Sequence, residues 1–191
     1  SRHHEADFID AINWYLKEKT GSLIMLKGDV PALKYPWELF SVLRALFESS
    51  YFKPGVASSA RIGTNVIMEG PVYIGENVII KANTVIEGPA YIGEGCEIGY
   101  ANVLRGPVNI EQNVKTGAFC EIKHSIFQEG THTHSGYFGD SVVGSNCRFG
   151  VGFISANKRI DRGTVMCEVK GKKLDTKLQA FGFIAGPDAK F

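Results

Sequence analysis

The sequence predicts a mainly β chain wound into a triangular parallel solenoid behind a short helical segment, and three observations carry that prediction. Large aliphatic residues recur at every sixth position, from Ile62, Met68 and Ile74 through Leu104 and Ile110 to Ile122, with Thr116 the one exception in eleven slots. Gly70-Pro71, Gly88-Pro89 and Gly106-Pro107 recur every eighteen residues, so three hexads make one turn and the pair marks one corner. Glycine is in surplus, 22 of 191 residues against a usual ~7%, with only 7 prolines, as regularly placed turns require.

Each element follows in order. DFIDAINWYLKEK carries Phe8, Ile9, Ile12, Trp14, Tyr15 and Leu16 at helical spacing. SLIML reads as a short strand. In PWELFSVLRALFES, Pro36 opens a second helix whose apolar face is Leu39, Val42, Leu43, Leu46 and Phe47. From about residue 56 the hexads take over. Four residues after each aliphatic stands a mostly small or β-branched one, Val66, Val72, Val78 and onward to Cys120 and Ile126. Neither a 3.6 nor a 2.0 period produces this, whereas coils stacked about 4.8 Å apart do. Cys96, Cys120 and, on a count restarted at Val143, Cys147 fall in the small inward slot. They read as core filler, and without a CxxC pair no structural zinc or redox motif is indicated.

Composition narrows the function classes. Twenty-one basic against 20 acidic residues give a net charge of +1, which removes the electrostatic case for nucleic acid or an anionic membrane as partner. No apolar run reaches the ~18 residues of a spanning helix, and Ser1-Arg2-His3-His4-Glu5 lacks the plan of a secretory signal. The expected location is cytoplasmic, and His3 and His4 read as terminal residues without a role.

Departures from the repeat locate a candidate site. The aliphatic slot due at 140 reappears at Val143, which predicts three extra residues within QEGTHTHSG, a loop holding His132 and His134. Corner positions eighteen apart read Glu69, Glu87, Arg105, Lys123. Stacking brings the two cations within reach of a common anion, unless they splay apart as a solvated ladder. With the histidine loop one coil later, they suit a phosphate-bearing substrate that has a proton to lose. Beyond the loop VVGSNCRFGVGFISANKRID continues the hexads, TVMCEVKGKKLDT forms a hairpin with Lys170, Lys172 and Lys173 at its solvated turn, and GFIAGPDAKF resumes the coil. The uncapped end at Phe191 implies a fragment, or an edge covered by another chain.

The order VLRGPV, CEIKHS, THTHSGYFGDS, FGVGFISANKRID resembles the hexapeptide-repeat left-handed β-helix acetyltransferases. It is most like the acetyltransferase half of the bifunctional glucosamine-1-phosphate N-acetyltransferase and N-acetylglucosamine-1-phosphate uridyltransferase family and its archaeal-type sugar-1-phosphate nucleotidyltransferase branch. The likeness covers about residues 56 to 191. DAINWYLKEK and YPWELFSVLRALFES resemble the end of the preceding nucleotidyltransferase domain and its linker. The implied organisation is a helical segment over 1–50 and a left-handed β-helix domain over 51–191, incomplete at its C-terminus. The Gly-rich nucleotide motif of the preceding domain is absent, so no nucleotide-sugar synthesis is expected. The resemblance implies acetyl transfer from acetyl-CoA to the amine of a hexosamine 1-phosphate in UDP-N-acetylglucosamine synthesis, within a homotrimer. It casts His134 as catalytic base, Arg105 and Lys123 as the phosphate-holding pair, and Tyr137, Asn157 and Lys158 as substrate-binding residues. Lys158 and Arg148 stand where the bacterial family has tyrosine and asparagine, which implies a different sugar preference. Two rivals remain: a γ-class carbonic-anhydrase-like zinc protein using His124, His132 and His134, although that family's histidine spacing is missing, and a non-catalytic trimerisation or regulatory solenoid of a sugar-nucleotide pyrophosphorylase.

Overall fold

A computed structural model describes residues 7–22 and 33–191, and the expected strand at Leu23 to Leu26, like His3 and His4, lies outside the described residues. The chain divides into two compact units, Ser1–Val30 and Pro31–Phe191. In the first, helix α1 spans Asp7–Leu16, and its Ile12, Trp14, Tyr15 and Leu16 are exposed. No glycine or proline interrupts it.

In the second unit Pro36 opens a 3₁₀ turn, Pro36–Glu38, that leads into helix α2, Leu39–Glu48. The Glu38 carboxylate accepts backbone N–H groups of Tyr35, at 2.8 Å, and Lys34. These bonds hold its pKa below the ordinary value. The buried face is Trp37, Phe40 and Leu43 rather than the expected stripe, and Leu46 is exposed. The 3₁₀ turn supplies Trp37 as the first anchor, which recentres the stripe on Phe40, Leu43 and Phe47. This face packs on Ile126, Val142 and Phe181, with Phe40 and Trp37 set edge-on to Phe181.

Three parallel sheets form the solenoid. The first face has seven strands, from Gly55–Val56 and Val72–Ile74 to Val142–Val143 and Ile184–Ala185. The second has six, from Arg61–Ile62 to Arg148–Phe149, and the third six, from Ile67–Glu69 to Phe153–Ile154. Ile74, Ile80, Ile86, Ile92, Ile98, Leu104, Ile110 and Ile122 are all buried on the axis, as their period demands, while Ile62 and Met68 in the opening coils are exposed. Inward polar groups are paired: Asn102 Nδ2 donates to the Gly117 carbonyl at 2.9 Å and its Oδ1 accepts from Cys120 N at 3.1 Å. Cys96, Cys120 and Cys147 are buried free thiols, and burial pushes Cys96 up to about 11.

Two expectations change. The glycine surplus points to turns built on glycine, yet much of the left-handed backbone is carried by asparagines, among them Asn65, Asn77, Asn83, Asn113 and Asn146, whose side chains tolerate it. Gly99 instead answers to proximity, because a Cβ there would lie 2.1 Å from the Gly117 carbonyl oxygen of the next coil. Second, no three-residue insertion exists. Ile122 pairs with Phe138, sixteen residues on, and Ile110 with Phe127, seventeen on. One residue is lost at the corner after Lys123 and another between Thr133 and Gly136, so the coil is two residues short. Phe127 takes the inward slot and Ile126 turns out toward α2. Phe127 and Phe138, which a stride of six from Ile122 passes over, are therefore core, and with Phe149 they pack edge to face inside the shortened coils. The hairpin is present as Met166–Val169 paired with Lys172–Asp175, turning at Lys170 and Gly171, after which Ile184–Ala185 rejoins the first face beside Val142–Val143.

Candidate functional site

The predicted corner column is in register: Glu69, Glu87, Arg105 and Lys123 stand on consecutive coils. Its cations do not face one another across an empty anion site. Arg105 pairs with Glu121 at 2.8 Å and Glu87 at 3.7 Å, while Lys123 Nζ donates to Asp140 Oδ2 at 3.0 Å. Carboxylates of the wall already answer the charge that the sequence alone leaves unbalanced.

Asp140 is the residue that sequence reasoning missed. It is 2% exposed and gathers three donors: Lys123, His124 Nδ1 at 2.8 Å from Oδ1, and Asn157 Nδ2 at 2.6 Å from Oδ2. Burial opposes its charge, but the hydrogen bonds from His124, Asn157 and Lys123 outweigh it and hold the carboxyl below the usual range. Asn157 Nδ2 also lies 3.0 Å from Tyr137 Oη. Lys123, Tyr137 and Asn157 thus meet at one corner. A Cβ on Gly139 would fall 2.5 Å from Tyr137 Oη and 2.7 Å from Asn157 Nδ2, so only glycine leaves room for that contact. Lys158 is exposed and bridges by its backbone to Ala180, one residue from the cluster.

A signal for Asp140 was in the repeat. At the corner where three coils carry Gly-Pro, the next two carry His124-Ser125 and Asp140-Ser141, and both His124 and Asp140 keep positive φ, +45° and +50°. A left-handed histidine and aspartate in successive coils, hydrogen-bonded to each other, mark a corner held by its surroundings. Phe40 of α2 rests on the His124 ring, centroids 4.7 Å apart.

His134 stands elsewhere. It follows Thr133 at the corner between the second and third faces, five residues or roughly 15 Å of extended chain from Gly139. Its neighbours in the stack are Gly117 and Gly150, whose missing side chains leave the imidazole exposed. It borders a groove of about 550 Å³ lined also by Lys115, His132, Arg148 and Phe191. Within the chain, then, the structure brings Lys123, Tyr137 and Asn157 together with Arg105 alongside, and leaves His134 at the far edge of the same face.

Comparison with known proteins gives the geometry its context. No protein-family model matches the chain. The bifunctional protein GlmU of Methanococcus aeolicus is 38% identical over all 191 residues, which cover 45% of that protein. A bifunctional sugar-1-phosphate nucleotidylyltransferase/acetyltransferase of Sulfurisphaera tokodaii is 35% identical across 97% of this chain and 46% of its own length. The GlmU of Methanocaldococcus jannaschii is likewise 35% identical over the whole chain. The chain is similar over essentially its whole length to part of each of these bifunctional proteins. It spans a little under half the length of these relatives. A Bacillus cereus protein solved as a putative acetyltransferase shares the fold, with TM-score 0.55 and 22% identity over 74% of each chain.

The histidines of this hexapeptide-repeat chain are dispersed. His124 is tied to Asp140 at one corner, whereas His132 and His134 line the groove at another, so within one chain the three histidines of the carbonic-anhydrase reading do not converge. Among the described residues no group of three His, Cys, Asp or Glu is placed to hold a metal. No helix among them is long and apolar enough to cross a membrane.

Proposed function

We propose that this acyltransferase moves the acetyl group of acetyl-CoA to the amine of a hexosamine 1-phosphate, glucosamine 1-phosphate first among them. The observation that carries the reading is the convergence of Lys123, Tyr137 and Asn157 on Asp140 at a corner also reached by Arg105. Lys123 spends one of three donors on Asp140 and Arg105 keeps donors beyond Glu121 and Glu87, so both can still grip a phosphate. Their service is orientation. Asn157 fixes the Tyr137 hydroxyl at the acceptor's edge.

His134 is the general base. It takes a proton from the ammonium of the hexosamine, and the freed amine attacks the thioester carbonyl. A backbone N–H steadies the oxyanion; the first proton passes from His134 to water, and as the intermediate collapses to the amide the attacking nitrogen gives up its second proton, which leaves on the expelled CoA thiol. Because His134 and the Lys123 corner lie at opposite edges of one face, the reaction calls for a second copy whose His134 corner abuts this acceptor corner. A homotrimer of triangular prisms supplies that arrangement three times over.

Thiol release from acetyl-CoA in the presence of glucosamine 1-phosphate tests the assignment. His134→Ala is expected to lose about 10²–10⁴-fold in kcat with little change in KM. Unchanged turnover in that variant would remove His134 as base. Calorimetry showing that neither glucosamine 1-phosphate nor CoA binds the wild-type protein would return the chain to the role of a trimerisation or regulatory solenoid.

A further inference from the structure

A second column of charge runs up the neighbouring face, and it differs from the Arg105–Lys123 corner in that its one carboxylate, Glu97 beside Lys115, pairs with Lys81 rather than with the cations above it. On the second face the outward positions read Arg61, Ile79, Glu97, Lys115, His132, Arg148, and then Lys190 through an isolated bridge. Glu97 is engaged by Lys81 at 3.2 Å. Above it, Lys115 and Arg148 form no ion pair among the described residues, and Arg148 donates only to the carbonyls of Gly130, at 2.8 Å, and Cys147. The three basic groups from Lys115 to Arg148 sit on adjacent strands, so their backbones are spaced about 4.8 Å apart. All three line the groove that also holds His134.

The column's field registers on its middle member. His132 has its pKa lowered, by burial first and then by the positive charges of Arg148 and Lys115. Glu97, the nearest acid of the column, is one coil further down and faces Lys81. The groove also carries Glu97, but that carboxylate is paired with Lys81, so its two cations without an ion pair and the imidazole between them leave its upper part positive. The spacing suits a group with several oxygens in a row, such as a pyrophosphate or a phosphate monoester, each oxygen meeting one rung.

We propose that Lys115, His132 and Arg148 form a phosphate-binding ladder beside His134, distinct from the Asp140 corner. The ligand chemistry is a phosphate ester. Two substrates of the acetyl-transfer reading carry it, the nucleotide end of the donor and the 1-phosphate of the acceptor, and the ligand's identity rests on that reading while the existence of the ladder does not. Bound oxygens replace water around Lys115 and Arg148, and the added negative charge makes protonation of His132 easier.

Titration of the full chain by calorimetry with inorganic pyrophosphate, CoA and glucosamine 1-phosphate, together with proton NMR of the His132 imidazole, tests the ladder. At least one phosphate compound is expected to bind and to raise the apparent pKa of His132, and the double variant Lys115→Ala, Arg148→Ala is expected to weaken that binding at least tenfold and abolish the shift. Tighter binding of CoA and pyrophosphate assigns the ladder to the donor; tighter binding of glucosamine 1-phosphate assigns it to the acceptor. Circular dichroism of the double variant, whose changes are both on exposed side chains, checks that it folds. The proposal is overturned if none of the three compounds binds in the millimolar range, or if binding is the same in the folded double variant. A ladder that binds pyrophosphate in a protein that acetylates nothing would sink the acetyl-transfer reading and leave the ladder standing.

Discussion

Asp140 occupies a left-handed corner that costs an L-residue about 1–2 kcal/mol relative to ordinary backbone, and it is buried there as an anion. Both costs are offset by three donors, one of them cationic. Because its folded pKa is depressed, the carboxylate's contribution to stability is fully present above the unfolded value of about 3.9 and is lost as pH falls through the folded pKa. Asp140→Asn is therefore expected to lower stability near neutrality and to flatten its fall below about pH 4, as urea denaturation at a series of pH values would read. Retention of the wild-type slope in the variant would show that the carboxylate is not the group that titrates. The same substitution loosens Lys123 and Asn157, so KM for the acceptor should rise more than kcat falls.

Among the elements, α2 is the one whose packing bears on the site, because Phe40 touches both Phe181 and the His124 ring. Phe40→Ala should cost about 3–5 kcal/mol if the helix cannot collapse into the gap, measured as a shift in the denaturation midpoint. Leu46→Ala, on the exposed side, should cost under about 1 kcal/mol. The helix was legible in the sequence from Pro36 and its apolar residues, but its buried side was not, since a 3₁₀ turn shifts the phase that a pure 3.6 period assumes. The solenoid was legible for a stronger reason: an inward slot tolerates only a residue that fits the axis, so Ile74 to Ile110 repeat without a gap. That same regularity misled at the break. With a fixed stride of six, Val143 looks like a displaced slot after an insertion, whereas two corners have each dropped a residue and Phe127 and Phe138 have moved inward. Lys123, Tyr137 and Asn157 were readable from the resemblance. Asp140 was not, because its role depends on burial, and burial at a corner is set by the coils above and below it.

At the scale of the molecule, the proposed reaction draws on the His134 corner and the Asp140 corner, which a single chain holds apart. The trimer proposed above turns this separation into a measurable property. If a site takes His134 from one copy and Lys123 from the next, mixing and reassembling His134→Ala with Lys123→Ala chains should regenerate about a quarter of the wild-type sites, although each variant alone is inactive. Sedimentation is expected to show three chains per particle. Sites confined within one chain would give no recovery on mixing, and a monomeric active species would discard the shared site altogether.

The eighteen-residue coil also has a consequence for how such a molecule can change length. Between Gly70 and Gly106 each coil repeats the one below it in stride and inward side chains, so a whole coil could be added or removed and every remaining side chain would keep its face. The stack would grow or shrink by about 4.8 Å. An insertion of one residue would send every following inward group outward. The coils of seventeen and sixteen residues that carry His124, His134 and Asp140 have no such freedom, because no other coil shares their perimeter. Height is therefore a variable that drift can alter, while the proposed chemistry is tied to the two coils that cannot be copied.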